Sequence, residues 1–203
     1  MSSHHIIRDE QEPALLVLDP LAIEREHLDG LLEWSPTLLV TEQHVHTLLD
    51  WGIKVDQVLA VPNSSLLKTK RELFDVIGLS KGKSALDEAL AFLLRKNHHS
   101  VNVVGNPENI PIFIHPLVQD MNCVLFETNR KIVCARNGSY RKWLKAYTTL
   151  SIQPLDLMYV STEGLMDDLD NEKVKDELQL TTTDDGILHL RSNLKPFLVA
   201  EVL

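Results

Sequence analysis

No stretch of this 203-residue chain approaches the roughly 20 consecutive apolar residues that a membrane-spanning helix needs. Residues 1–12 are polar apart from Ile6-Ile7 and lack the pattern of a secretory leader. These absences predict a cytoplasmic protein with no membrane association. Cysteine is scarce: Cys123 and Cys134 are the two in the chain, and without a leader both read as reduced thiols. A disulfide between them is geometrically conceivable if their strand-like segments pair. Glycine-rich phosphate loops are missing, since neither G-x-G-x-x-G nor G-x-x-x-x-G-K occurs. Positive charge is in deficit, with 20 basic against 29 acidic residues. The resulting net charge of −9 repels a phosphate backbone, so no nucleic-acid partner is expected.

What is present is a composition close to the globular average, 44% hydrophobic and 24% charged, which can bury a core. The first half alternates strand and helix. Apolar runs at 14–18, 38–40, 57–61 and 100–104 read as buried strands, the first stopped by Asp19-Pro20 and the third by Pro62. Helical spacing marks 22–32, 42–51 and 84–97. In the last, Leu86, Ala89, Leu90, Leu93 and Leu94 form one stripe, and Ser84 is placed as N-cap with Asp87 three residues on. Alternation at this spacing predicts a mostly parallel sheet with helices on both faces. From about residue 120 the rhythm changes to short strands: 123–127 and 131–136 around a turn at Thr128-Asn129-Arg130, then 148–153, 186–191 and 197–202, with loop-like acidic sequence at 166–171. The expectation is an α/β domain over 1–120 followed by a small all-β sandwich domain over 121–203.

Several clusters invite chemistry. Gly82-Lys83-Ser84 resembles the end of a phosphate loop, but that motif's first glycine falls on Ile77, and the segment before Gly78 reads as more helical than extended. A basic loop with Lys81 and Lys83 opening onto a helix at Ser84 is still a candidate anion site, because unpaired N–H groups and the helix dipole attract negative charge. The alternative is a solvated loop with a helix cap. Tyr140, Trp143 and Tyr147 stand close to Arg136, Arg141, Lys142 and Lys145, a dense aromatic and basic group in a chain that is only 5% aromatic. It reads as a surface for stacking a ligand, with Tyr140 and Trp143 its candidates, or for dimerisation. It reads equally as a β-edge with snorkelling side chains. The histidines His4-His5, His44, His46 and His98-His99 show no zinc-site spacing with a thiolate, so no metal ligand is assigned among them.

Five segments in order resemble thiamine pyrophosphokinases. Leu39-Val40-Thr41-Glu42-Gln43 stands where that family has a strand ending in Asp-Gly. Trp51-Gly52-Ile53-Lys54-Val55-Asp56-Gln57-Val58 is similar to its G-x-x-P-D-x-(V/I). Ser84-Ala85-Leu86-Asp87-Glu88-Ala89-Leu90 is similar to T-D-L-E-x-A-L, and the strand at 101–105 to (I/V)-x-(I/V)-x-G. The stretch 188–202 resembles its terminal hairpin. The resemblance implies an α/β catalytic-type domain and a β-sandwich thiamine-binding-type domain, in a homodimer joined through the β domain. Its chemistry would be transfer of pyrophosphate from ATP to thiamine, with magnesium on carboxylates.

The same resemblance marks departures. The family's G-D-x-D-S falls on Ala60-Val61-Pro62-Asn63-Ser64, so Val61 and Asn63 replace acids and Ser64 remains. Its D-x-D-x-T-D falls on Ser80-Lys81-Gly82-Lys83-Ser84-Ala85, where Ser80, Gly82 and Ala85 replace acids and two lysines would repel a divalent cation. R-x-D-H falls on Ile112-Phe113-Ile114-His115, keeping His115 alone. Glu42 keeps the acid of the early Asp-Gly. The S-N-E-F segment tied to thiamine in the family is not recognisable around 179–185. The implied function is a degenerate thiamine pyrophosphokinase-like protein that binds a thiamine-like or anionic small molecule, or a partner. Two alternatives stay open: an active enzyme on a rearranged site using Glu42, Asp87 and Glu88, with Mg and ATP, or an anion- or nucleotide-binding module.

Overall fold

A computed structural model describes residues 12–67, 73–119 and 121–203. The polar start with His4-His5 lies outside them. Two compact units divide the chain between Asn129 and Arg130.

In the first unit, β1 (Ala14–Val17) leads to α1 (Arg25–Leu32), β2 (Leu38–Thr41) and a short turn of 3-10 helix (Glu42–His44) that runs into α2 (Val45–Asp50). Then come β3 (Gln57–Ala60), β4 (Asp75–Gly78), α3 (Ala85–Arg95), β5 (Ser100–Val104), a 3-10 segment at Pro107–Ile114 and β6 (Asn122–Glu127). All six strands are parallel, in the order β4-β3-β2-β1-β5-β6. Every residue of β1 is at most 1% exposed, which is why it reads as an unbroken apolar run rather than an alternating one. Leu15, Val17, Leu38, Val40, Val58, Val104 and Phe126 share a core with Leu28 of α1 and Val45 and Leu48 of α2. The stripe on α3 buries Ala89, Leu90 and Leu93, and the helix packs on β3.

Two expectations are corrected in this unit. The segment before Gly78 is strand β4, not helix. Val76 and Ile77 are β-branched and pair in parallel with Val58 and Leu59 of β3, so tertiary pairing decides a stretch too short to show a period. The strand grouped with the all-β half at 123–127 is β6, which pairs in parallel with β5 from Ser100↔Asn122 to Val104↔Phe126. The turn at Thr128 and Asn129 has both residues in the left-handed region, φ 38° and 61°.

The second unit is all β: β7 (Arg130–Ala135), β8 (Ser139–Leu144), β9 (Thr149–Pro154), β10 (Met158–Glu163), β11 (Glu172–Val174), β12 (Leu178–Thr181), β13 (Gly186–Ser192) and β14 (Phe197–Val202). Antiparallel pairing gives the orders β12-β9-β14-β7 and β11-β10-β13-β8. Leu150, Ile152, Leu180, Phe197 and Val199 of the first group share a core with Leu144, Met158, Val160, Val174, Leu188 and Leu190 of the second. The expected terminal hairpin at 188–202 does not form: β13 pairs with β8 and β10, whereas β14 pairs with β7 and β9. Adjacency in sequence suggests a hairpin. The chain instead leaves one group of strands for the other at Leu194, which has φ 63°. Among the described residues, no helix is long and apolar enough to cross a membrane.

Candidate functional site

Parallel strands put all their carboxyl ends on one edge of the sheet, and loops there are the usual place for ligands in open α/β sheets. The positions singled out in the first unit all fall at this edge. Glu42 follows β2, Val61 to Ser64 follow β3, Ser80 to Ala85 join β4 to α3, and His115 follows the 3-10 segment after β5. They fall into two hydrogen-bonded groups.

The first group is built on Glu42. One carboxylate oxygen accepts from the Val61 backbone N–H at 3.0 Å, and the other accepts from the Ser64 hydroxyl. Ser64 Oγ in turn accepts from Leu66 N–H at 3.0 Å, and its side chain is buried. Asn63 stands at the apex with φ 74°, a conformation that asparagine tolerates better than most residues. The acid and the serine retained from the family pattern are therefore bound to each other. Each oxygen of Glu42 accepts one bond from the β3 loop.

The second group is the start of α3. Ser84 and Asp87 make a reciprocal capping box: Asp87 N–H donates to Ser84 Oγ at 3.1 Å, and Ser84 N–H donates to Asp87 Oδ2 at 2.8 Å. The Ser84 hydroxyl adds a bond to the same oxygen at 2.7 Å. Asp87 Oδ1 lies 2.9 Å from His115 Nε2. Because His115 Nδ1 accepts from Leu117 N–H at 3.2 Å, the ring proton belongs on Nε2, and the imidazole donates to Asp87 while neutral. Bonds from Ser84, then from His115, hold the Asp87 carboxyl well below the usual carboxylate range. Glu88 takes the Ser80 N–H at 3.2 Å. Hydrogen bonding from Ser80 lowers its carboxyl, opposed by desolvation and helped by Arg95 and Lys83.

These bonds bear on both chemistries read from the sequence. At the α3 N-terminus the Ser84 and Asp87 N–H groups are taken by the capping box and the Ser80 N–H by Glu88, while Lys81 and Lys83 are exposed. The magnesium-ATP chemistry that the sequence resemblance implies needs carboxylate oxygens directed at a shared point. Val61, Asn63, Ser80, Gly82 and Ala85 supply none, and Glu42 and Asp87 are engaged within the chain. Among the described residues, no three His, Cys, Asp or Glu side chains are grouped to hold a metal ion. The donor set does not fit the ion. Asp56, a carboxylate whose arrival here would have changed that, sits at the opposite edge, where Oδ2 accepts from Leu38 N–H at 2.9 Å.

One residue at this edge escaped the sequence reading. In the sequence Asp19 reads only as the stop of the first strand. Its Oδ1 accepts from Leu21 N–H and its Oδ2 from the Asn106 side-chain amide, both at 2.9 Å. It thus stands between β1 and β5, where the strand order reverses, the usual crevice of such sheets. The signal was an acid directly after a buried strand. Gly105 lets this corner close: a Cβ there would meet Asn109 Oδ1 at 2.4 Å, displacing its bond to Asn106 N–H.

In the second unit the aromatic cluster separates. Along β8, Tyr140, Lys142 and Leu144 face inward and Ser139, Arg141 and Trp143 outward. The Tyr140 hydroxyl and Lys142 ammonium both donate to Glu201 of β14. Burial, then Glu201, pushes the Tyr140 phenol far up. Burial raises Glu201 too, but bonds from Lys142 and Tyr140 outweigh it and leave the carboxyl lowered. Trp143 is 55% exposed and Tyr147 82%.

No protein-family model matches this chain, and no curated protein matches it. Solved structures do. A thiamin pyrophosphokinase from Geobacillus thermodenitrificans superposes with TM-score 0.71 at 12% identity, over 94% of this chain and 96% of that one. One from Bacillus subtilis gives 0.69 at 16%, over 94% and 98%. The yeast enzyme gives 0.71 at 9%, over 98% and 88%. Identities this low speak for the fold, and the chain has the fold of the thiamin pyrophosphokinases.

Proposed function

We propose that this chain is a thiamin pyrophosphokinase-like protein that has lost pyrophosphoryl transfer and keeps the carboxyl edge of its parallel sheet as a binding surface for a small ligand or a partner. The observation that carries this reading is the fate of Glu42. The acid that keeps the place of the early Asp-Gly accepts from the Val61 N–H on one carboxylate oxygen and from the Ser64 hydroxyl on the other. An ion there would have to compete with two internal bonds and find no second carboxylate at Val61 or Asn63. Val61, 52% exposed, and Ile114, 66% exposed, stand where the family pattern has acids. Apolar surface at such positions favours a ligand or partner with an apolar face over a polyphosphate.

The test is calorimetry with thiamine, thiamine diphosphate and ATP, each with and without magnesium. The reading predicts no magnesium-dependent binding of ATP. Thiamine binding would identify a small-molecule module, and silence with all three would leave a partner role. Magnesium-dependent ATP binding that Glu42→Gln removes would overturn the reading.

A further inference from the structure

One constellation of side chains lies outside that reading altogether. On β8, β13 and β10, the outward side chains are Ser139, Arg141 and Trp143, then Ile187, His189 and Arg191, then Tyr159, Ser161 and Glu163. The register sets Ser139 across from Arg191, and His189 across from both Arg141 and Glu163. Within this face Ser139 Oγ lies 3.0 Å from His189 Nε2. The other ring nitrogen, Nδ1, lies 3.8 Å from Glu163 Oε2. Arg191 pairs with the second oxygen of Glu163.

We propose that Ser139, His189 and Glu163 form a serine–histidine–carboxylate site that accepts an acyl group from small activated esters. A serine hydroxyl is a weak nucleophile until a base takes its proton, and the 3.0 Å contact is within the reach that such a base needs. A carboxylate beside Nδ1 favours the tautomer with its proton there, leaving Nε2 free to accept from Ser139. Glu163 is a positioning residue in this scheme. Three paired strands fix the backbone under all three side chains, which a loop would not do. Such triads are recognised by geometry and roles, not by chain order, so the order Ser, Glu, His is no obstacle.

The surroundings suit a small ester. Arg191, across from Ser139 in the register and 51% exposed, is held by Glu163 and keeps positive charge on the serine's side of the face. Trp143 and Ile187 pair across the same two strands, 55% and 49% exposed, and give an acyl chain apolar surface. An open cavity of about 450 Å³, lined by Tyr159, Ser161, Asn193, Glu163 and Arg191, adjoins the acid side. In the first step the Ser139 Oγ–carbonyl carbon bond forms. His189 Nε2 takes the hydroxyl proton and returns it to the departing alkoxide as the ester bond breaks. Water, deprotonated by the same nitrogen, then releases the carboxylic acid and regenerates the hydroxyl.

The test is covalent labelling of the full chain with a fluorophosphonate, which reports the nucleophile without needing the natural ester. Ser139 Oγ bonds to phosphorus, the P–F bond breaks, fluoride leaves and His189 takes the proton. The expected result is one adduct per chain, mapped to Ser139 by peptide mass. His189→Gln should slow labelling by about 100-fold or more, in the range for loss of a general base. Glu163→Gln should slow it less, since it leaves the base in place and removes only the group beside its other nitrogen. Ser139→Ala deletes only an exposed hydroxyl, so a folded variant that takes no label supports the site. No adduct on Ser139 at saturating reagent, an adduct elsewhere only, or equal rates in His189→Gln would overturn it. Because these residues take no part in the carboxyl-edge reading, either proposal can fail alone.

Discussion

Glu42 and Asp87 show how a carboxylate can survive at a motif position and change occupation. Glu42 accepts two bonds that close the β3 loop, and Asp87 accepts bonds from Ser84 and His115 that close the start of α3. Two consequences are measurable. Glu42→Ala should lower stability by about 1–2 kcal/mol, since it orphans the Val61 N–H and the buried Ser64 hydroxyl at a partly exposed site. Urea denaturation measures the loss, and faster amide exchange at Val61 places it. For Asp87 the sign follows from its lowered carboxyl. A group whose folded value is depressed contributes stability that is fully present above its unfolded value, here 3.8, and lost as pH falls toward the folded value. The gap in urea midpoint between the wild type and Asp87→Asn should therefore hold from about pH 7 down to about pH 5 and close below about pH 3. The positions Val61, Asn63, Ser80, Gly82 and Ala85 were legible in the sequence because each is a change of residue type. The partners of Glu42 and the bond between Asp87 and His115 were not, because they are set by neighbours 19 to 28 residues away.

At the scale of elements, local signals carried well. The capping box of α3 and its apolar stripe depend on residues within one or two turns, and both are as the spacing predicts. Long-range pairing did not carry. Nothing in the residues of β6 says that its partner is the parallel β5, and nothing in 188–202 says that β13 and β14 part company, because a strand's own period of 2 is silent on its neighbour. The same period, applied to β8, would have divided the aromatic cluster. Tyr140 and Trp143 differ by three positions, so they face opposite ways. Tyr140→Phe should cost about 1–2 kcal/mol by removing a partner of the buried Glu201 carboxylate. Trp143→Ala should stay within about 0.5 kcal/mol, as an exposed substitution. Equal losses in thermal or urea unfolding would refute the assignment of faces.

For the whole molecule, the fold is shared with the thiamin pyrophosphokinases while the residues at the motif positions differ. Alternating strand and helix, then short strands alone, was enough to indicate the architecture, and the match to thiamin pyrophosphokinase structures at 9–16% identity shows how little sequence that architecture requires. The proposed loss of pyrophosphoryl transfer rests on a few side chains at one edge of one sheet. There the chain offers valine, asparagine, serine, glycine and alanine at positions where the family pattern has acids, and its remaining acids are tied to loops and caps. The measurement that bears most directly on this account is formation of thiamine diphosphate from thiamine and magnesium-ATP by the purified full chain. The account predicts no product above a control without protein. Product whose formation Glu42→Gln abolishes would contradict it.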